Sequence, residues 1–404
     1  MDLHAPGALV AWSELPADAL SEIAGHLHDA GDRVCFRAVC RPWRSAPPPV
    51  REPSFLPYLV ESCGAGASSD DVDPGLRLHA PFSTRKIRPL LPLPALRGKK
   101  IERSDASGGR VLATGYSNNG ILTPELVNPL TGDATSLPPL PRSVVSSTWW
   151  RARGVLCRTG AVVFHTEQCQ YRQLEATLLR PGELDWEEVG VTCYRALISY
   201  ASFSDEHHRS AAALCSSTVL PGAACAIAEL PRRHRWGKRY VLEFHGELLC
   251  VDIVIPGPFK YQLILPESVS VLAMQAGDDG RPRWVEREHG RGDTTDHLCF
   301  FLSTRGSFAV DAREFPGSTE VTAGCAYFFS WHPESTKSKR LNGVFRYSFQ
   351  DGTTTLVHEL PTFFYRFPMW FIPRPRISAL PCHDLVEDTK CGSADEHQPS
   401  HYAK

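Results

Sequence analysis

Residues 240–255 read YVLEFHGELLCVDIVI, and this stretch decides the fold class of most of the chain. Two runs rich in Val, Leu and Ile flank the dipeptide His245-Gly246, a pattern that predicts a β-hairpin. Residues 343–358, GVFRYSFQDGTTTLVH, repeat the pattern with an Asp-Gly signal that suits a tight turn. The chain beyond residue 55 shows no sustained helical periodicity, and 33 prolines and 30 glycines punctuate the sequence. We therefore predict an all-β domain over residues 55–380.

A faint internal period indicates how these strands are arranged. Trp186 in LDWEEVG and Trp284 in PRWVERE both lie among acids, 98 residues apart. This spacing is close to twice the roughly 40–50 residues of a propeller blade. Residues 55–380 would hold six or seven such blades, so the sequence predicts a six- or seven-bladed β-propeller.

The first fifty residues follow a different, helical pattern. Pro16 suits the first turn of a helix, Asp32 can cap a second short helix, and Pro42 with Trp43 can open a third. One apolar face is predicted for the first helix, at i, i+3, i+4 and i+7, by Leu20, Ile23, Ala24 and Leu27. Prolines at 47, 48, 49 and 53 then end the helical region.

The chain is therefore predicted to be an α+β multidomain protein, with a small three-helix module ahead of a large all-β domain. The predicted units are an N-terminal arm (1–11), the helical module (12–46), a Pro-rich linker (47–54), the β domain (55–380) and a disordered, polar tail (381–404).

Residues 12–27, WSELPADALSEIAGHL, and residues 32–46, DRVCFRAVCRPWRSA, together resemble an F-box. The resemblance implies that this module docks onto the Skp-type adaptor of a Skp–cullin–F-box ubiquitin ligase, and through it onto the cullin. The residues that it marks as adaptor-binding are Leu15, Pro16, Leu20, Ile23, Val39, Cys40 and Trp43. The competing interpretation is that these side chains only form the core of a small helical bundle.

Four later segments have a second resemblance. Residues 126–141, 240–253, 296–317 and 343–352 are similar to a large plant F-box family whose C-terminal domain is propeller-like and has no assigned function. This resemblance implies architecture and plant origin, and it brings no catalytic residues.

Composition limits the partners and the compartment. Lys and Arg number 43 against 45 for Asp and Glu, so the formal charge of −2 argues against nucleic acid and against a membrane surface as partners. Thirteen scattered cysteines without a CxxC motif suggest reduced thiols. With no signal peptide pattern at the N-terminus and no apolar run long enough to span a membrane, the expected location is the cytoplasm, the nucleus or both.

Motifs of catalysis are missing from the sequence. It contains no HExxH, GxSxG or P-loop motif, and we expect neither cofactor nor metal. His297 and Cys299 could share a strand face, yet zinc normally needs four ligands. The basic run RRHRWGKR at 232–239 could contact nucleic acid or an acidic segment of a partner protein, or form a solvated loop before a strand.

Together these patterns predict a non-catalytic substrate receptor of a ubiquitin ligase, whose β domain recruits an unknown protein target. Two alternatives remain open at this stage. The chain could be an F-box scaffold or decoy that acts outside the ligase, or a propeller enzyme.

Overall fold

A computed structural model describes most of the helical region and the strands of the β domain. The described residues are 12–47, 49, 54–62, 76–83, 96, 99–104, 109–116, 121–141, 153–156, 161–168, 173–191, 237–245, 247–255, 265–278, 282–287, 296–303, 306–315, 321–330, 343–360 and 368–373. The predicted N-terminal arm and C-terminal tail, and most of the Pro-rich linker, lie outside them. In this part of the chain, no helix has both the length and the apolar character needed to cross a bilayer.

The helical module has three short α-helices after a 3-10 turn at Trp12–Glu14. They are α1 (Ala17–Gly25), α2 (Ala30–Ala38) and α3 (Arg41–Arg44). One detail of the prediction is wrong. The cap of α2 is Asp29 rather than Asp32, and Asp32 lies in the first turn of the helix. Asp29 precedes the helix in an extended conformation, which lets its side chain reach the free backbone N–H groups of the first turn.

Three sheets follow a regular four-stranded path, with consecutive strands antiparallel and adjacent. Blade 2 consists of β3 (Lys100–Ser104), β4 (Val111–Tyr116), β5 (Leu122–Val127) and β6 (Ala134–Ser136). Blade 3 consists of β7 (Arg153–Leu156), β8 (Val162–Gln168), β9 (Gln173–Leu179) and β10 (Glu187–Val191). Blade 4 consists of β11 (Gly237–Phe244), β12 (Glu247–Val254), β13 (Ser268–Ala276) and β14 (Pro282–Glu286).

The two remaining sheets depart from that path. Blade 1 joins the two ends of the domain in the order β2-β1-β20, from β1 (Tyr58–Ser62), β2 (Leu76–His79) and β20 (Met369–Phe371). Blade 5 has five strands in the order β16-β15-β17-β18-β19, and β15 runs parallel to β17. Its strands are β15 (Leu298–Leu302), β16 (Phe308–Asp311), β17 (Cys325–Ser330), β18 (Gly343–Ser348) and β19 (Thr354–Glu359).

Each blade has one edge strand on the side of the propeller axis, and these strands contact one another between adjacent blades. β3 contacts β20 and β7, and β11 contacts β16. These contacts identify the innermost strands of the five blades as β20, β3, β7, β11 and β16. The domain is a β-propeller.

The predicted number of six or seven blades is wrong, because the described residues form five. The prediction divided the chain evenly into blades of about 40–50 residues. Blade 5 instead extends over residues 298–359 with its extra strand.

Apolar side chains between adjacent blades form the core. Blade 5 packs against blade 4 through Phe300, Phe328 and neighbouring residues, and against blade 1 around Trp370. The ring of Trp370 is fully buried, lies 5.0 Å from that of Phe301, and donates its Nε1–H to the Leu302 carbonyl at 3.2 Å. A strand near the C-terminal end of the domain thus closes the ring against the blade that precedes it.

Both predicted hairpins are confirmed. In the first, β11 pairs with β12 and the turn residue His245 has a φ of 49°. In the second, β18 pairs with β19 around Gly352, whose φ of 67° suits glycine. The two repeated tryptophans also occupy related places, since Trp186 directly precedes β10 and Trp284 lies in β14, each the last strand of its blade.

Candidate partner-binding site

The helical module has a small core of its own. Leu20, Ala24 and Phe36 are buried in it, and the partly buried residues packed against them are Leu15, Leu27, Trp43 and Ala46. The Phe36 and Trp43 rings lie 4.7 Å apart. The Trp43 Nε1–H also donates to the Trp12 carbonyl at 2.9 Å, which fixes the backbone before α1.

The seven residues predicted to bind an adaptor divide between this core and the surface. Leu20 is buried, and Leu15, Cys40 and Trp43 are half-buried. Exposed members of the set are Pro16, Ile23 and Val39. Adaptor binding by the set stays a prediction, with the exposed members available for contact and the buried ones positioned to support them.

Exposed apolar side chains concentrate on this module. Among the described residues, seven large hydrophobic side chains are exposed, and four of them lie between residues 12 and 39. These four are Trp12 (70 % exposed), Ile23 (37 %), Val34 (43 %) and Val39 (58 %). The other three, Ile121, Leu184 and Leu356, lie in three different blades. A concentration of exposed apolar side chains is typical of a protein-binding surface.

Helix α2 and its C-cap Val39 carry part of this apolar surface. Val34, Cys35, Ala38 and Val39 are all exposed, and the spacings of three and four residues between them place them on one helix face. The F-box resemblance marks Val39 of this set, and it marks neither Val34, Cys35 nor Trp12. Their spacing is visible in the sequence, but their outward orientation follows only from the burial of Phe36.

The exposed charges of the module have opposite signs on different helices. Glu14, Asp18 and Glu22 are exposed around α1 at intervals of four residues. The exposed cations Arg37, Arg41 and Arg44 follow α2 into α3. The module therefore offers both acidic and basic side chains to a partner.

The α1–α2 junction is seated on the propeller. Asp29 Oδ1 accepts hydrogen bonds from the backbone N–H groups of Gly31 (2.7 Å) and Asp32 (3.2 Å) and from the hydroxyl of Tyr58 (2.8 Å), the first residue of β1. Gly31 N–H also donates to the Tyr58 oxygen at 3.0 Å. Burial and the nearby Asp29 carboxylate raise the pKa of Tyr58 far above its ordinary value, so its hydroxyl remains a donor at neutral pH.

A second set of contacts joins the junction to blade 5. The His28 carbonyl accepts a hydrogen bond from Leu56 N–H at 2.9 Å. The imidazole ring of His28 lies 6.2 Å from the ring of Phe315. Ser54 donates its hydroxyl to Glu314 Oε2 at 2.7 Å, and Glu314 belongs to the 3-10 turn at Ala312–Glu314 that follows β16. The module is thus held by the closing blade and by the extra innermost strand of blade 5.

Residues that sequence reasoning considered for metal binding or catalysis have structural roles where the structure describes them. His297 lies just before β15, 3.7 Å from Asp311. Cys299 is buried and donates its thiol to the Thr322 carbonyl, and burial raises its pKa well above the ordinary value. Across the described residues, no group of three or more His, Cys, Asp or Glu side chains could hold a metal. Residues 232–236 of the basic run lie outside them.

The sequence was compared with known proteins. A family model described as the KIB1-4 beta-propeller matches residues 78–348. No curated protein matches significantly.

Two solved structures are similar at low identity. One is a DUF4784 family protein from Bacteroides caccae, at 10 % identity and a TM-score of 0.24, over 78 % of this chain and 73 % of that one. The other is a triple arginine mutant of AofleA from Arthrobotrys oligospora, at 9 % identity and a TM-score of 0.25, over 75 % of this chain and 84 % of that one. Scores this low do not establish a common fold.

The family match covers well over half of the chain and lies within the propeller formed by blades 1 to 5, so this protein belongs to the KIB1-4 β-propeller family.

Proposed function

We propose that this protein is the substrate-recognition subunit of a Skp–cullin–F-box ubiquitin ligase. Its helical module docks the Skp-type adaptor, and its propeller recruits a protein target. The observation that carries the proposal is the concentration of exposed apolar side chains on a module whose sequence resembles an F-box.

The exposed apolar side chains supply part of the energy of docking. Full burial of a large apolar side chain contributes roughly 1.5–3 kcal/mol, and association costs about 4–15 kcal/mol. Trp12, Ile23, Val34 and Val39 are already partly buried, so they contribute a fraction of that amount, and the polar rim supplies the remainder.

In this account the protein makes and breaks no bond. It brings a target close to the ubiquitin-carrying enzyme of the complex, so that transfer is accelerated by proximity. The propeller supplies a rigid scaffold, and its connecting loops supply the contacts with the target. Recruitment of the target takes place in the cytoplasm, the nucleus or both.

The test is affinity purification followed by mass spectrometry, from cells with the proteasome blocked. The bait is either the natural chain or the double variant Ile23→Asp, Val39→Asp, which places charges on the exposed apolar face. The natural chain should recover adaptor, cullin and targets, whereas the variant should keep the targets and lose adaptor and cullin.

The matched control is Leu356→Asp, because Leu356 is exposed to the same degree as Ile23 (39 % against 37 %) but lies in blade 5. It should recover adaptor and cullin normally. Recovery of cullin by the double variant at the natural level would refute the proposal.

A further inference from the structure

We propose that the contact between blades 1 and 5, where the propeller closes on itself, is sensitive to acid through the histidine pair His79 and His358. We name this contact the closing seam. It is closed near neutral pH, and it opens when the pair takes up protons. The opening concerns the propeller itself, and only its consequence for target recruitment rests on the proposed function.

The histidine pair lies at the outer border of the closing seam. β2, the outermost strand of blade 1, ends at His79, and β19, the outermost strand of blade 5, contains His358. The two imidazole rings approach each other edge to face, with their centroids 6.5 Å apart. His79 is paired in register with Leu59, and His358 with Val344. Both of these partners are buried in the apolar cluster between the two blades, so the pair borders that cluster.

Inside the histidine pair, the closing seam is held mainly by the packing of side chains. The closing strand β20 pairs with β1 at three positions, whereas β11 and β12 pair at eight. Phe82, which follows β2, stacks on Trp370 with ring centroids 6.0 Å apart, and its centroid lies 5.8 Å from that of Phe301 in blade 5. Closure of the propeller therefore depends on side chains that stay in contact across the seam.

Protonation of the histidine pair opposes this contact. His358 is half-buried, and its burial, followed by the nearby His79, holds its pKa below the ordinary value. Two imidazolium ions at this separation would repel each other, more strongly than they would in water. Glu359, the next residue of β19, raises the pKa of His358 but has the smallest influence of the three. The partners in register, Leu59 and Val344, carry no charge.

Lowering the pH should therefore open the seam. In the open form the imidazole of His358 is exposed to water and regains its ordinary pKa of 6.5. The open form then binds a proton at a higher pH than the closed form does, so acid favours the open form. The contribution of His358 to closure is complete at about pH 7.5 and is lost as the pH falls through 6.5 toward its lowered pKa.

Opening of the seam would act on the helical module, because both blades hold the module and its linker. Tyr58 of blade 1 donates to Asp29 of the module, and Glu314, just beyond β16 of blade 5, accepts from Ser54 of the linker. Two blades that separate cannot keep both hydrogen bonds in place. Under the proposed function, acid would therefore change the position of the adaptor relative to the target.

The test is hydrogen exchange of the full chain followed by mass spectrometry, at about pH 7.5 and about pH 5.5. Protection factors are corrected for the intrinsic effect of pH on exchange, and the amides of β20 are compared with those of β12 in blade 4. The protection of β20 should fall severalfold at the lower pH, whereas that of β12 should stay the same. A loss of equal size in both strands would mean general unfolding and would overturn the inference.

Two variants assign the loss of protection to the histidine pair. His358→Gln keeps a polar side chain that does not titrate, so it should abolish the loss at β20. His79→Gln should reduce the loss, because it removes the repulsion but leaves His358 half-buried. The matched control is His26→Gln, at an exposed histidine of the module, and it should keep the full loss. A full loss in both variants of the pair would refute the acid-sensitive seam.

The outcome is separable from that of the proposed function. The exchange experiment contains neither adaptor nor target, so its result does not depend on the ligase assignment. At about pH 7.5 the seam is closed, and His358→Gln should bind the adaptor as the natural chain does, whereas Ile23→Asp with Val39→Asp should not. Failure of the pH-dependent exchange alone therefore refutes the acid-sensitive seam, and failure of adaptor binding alone refutes the ligase assignment.

Discussion

The Tyr58 hydroxyl donates a 2.8 Å hydrogen bond to Oδ1 of Asp29, and this bond joins the closing blade of the propeller to the cap of helix α2. The same oxygen accepts from the Gly31 and Asp32 N–H groups, so one carboxylate both starts a helix and attaches it to a strand. Under the proposed function, this junction fixes the distance between the adaptor and the target.

Removal of the Tyr58 hydroxyl should destabilise the chain. Tyr58→Phe leaves a half-buried carboxylate with one donor fewer, which costs about 1–3 kcal/mol in the free energy of unfolding. Urea denaturation measures the change. Tyr240→Phe is the matched control, since Tyr240 is buried but its hydroxyl makes no hydrogen bond to a described residue, and it should cost less.

The stability of the chain should fall at alkaline pH. The pKa of Tyr58 is raised in the folded protein, so the unfolded chain begins to lose this proton first, near the ordinary value of 10.0. Stability from this group is therefore complete below pH 10 and is lost as the pH rises above it. Unfolding free energies measured across this range should decline less steeply in Tyr58→Phe, and an unchanged slope would contradict the buried position of the hydroxyl.

Close packing between blades 2 and 3 should make Gly154 intolerant of any side chain. A Cβ there would lie 2.6 Å from Leu112 Cδ2 and 2.8 Å from a ring carbon of Phe164. Gly154→Ala should lower the free energy of unfolding by about 1–3 kcal/mol. Gly25→Ala is the control, because its Cβ would meet only Pro49 at 3.4 Å, and it should be neutral or stabilising.

Closure of the ring by β20 should depend on Trp370. Trp370→Ala removes a fully buried ring from the contact between blades 5 and 1, at a cost of about 3–5 kcal/mol. Trp12→Ala deletes the same side chain where it is largely exposed, and it should change stability by about 0.5 kcal/mol or less. Thermal unfolding of both variants makes the comparison, and equal losses would contradict the closure.

Local patterns predicted the strands and helices well, because hydrophobic spacing and turn residues are both read from neighbouring positions in the sequence. The hairpin of β11 and β12 follows from Val, Leu and Ile runs around a two-residue turn, and Phe244 pairs with Glu247 across that turn. The three helices were predicted from spacing, but the cap of α2 was not. Asp29 and Asp32 both satisfy the local rule for a cap, and the contact with Tyr58 that accompanies Asp29 is distant in sequence.

The number of blades and the ring closure could not be predicted for a related reason. Pairing of Tyr58 with Phe371 joins residues more than three hundred positions apart, and no local signal encodes it. Blade 5 inserts β16 as an additional innermost strand, which changes the number of residues per blade. A number of blades calculated from a constant blade length is therefore wrong.

The candidate site was predicted in part. The F-box resemblance marked seven residues, and burial separates them into supports such as Leu20 and exposed positions such as Val39. The exposed apolar face of α2 follows only when the burial of Phe36 is known. Sequence spacing alone does not distinguish a helix face turned toward the core from one that awaits a partner.

Calorimetric titration of the full chain with a purified Skp-type adaptor tests the central claim most directly. The account predicts one-to-one binding by the natural chain and by Leu356→Asp. It predicts at least about a hundredfold weaker binding by Ile23→Asp with Val39→Asp, since each buried apolar contact contributes roughly 1.5–3 kcal/mol and a tenfold change corresponds to about 1.4 kcal/mol. Equal affinities for the natural chain and the double variant would contradict the account.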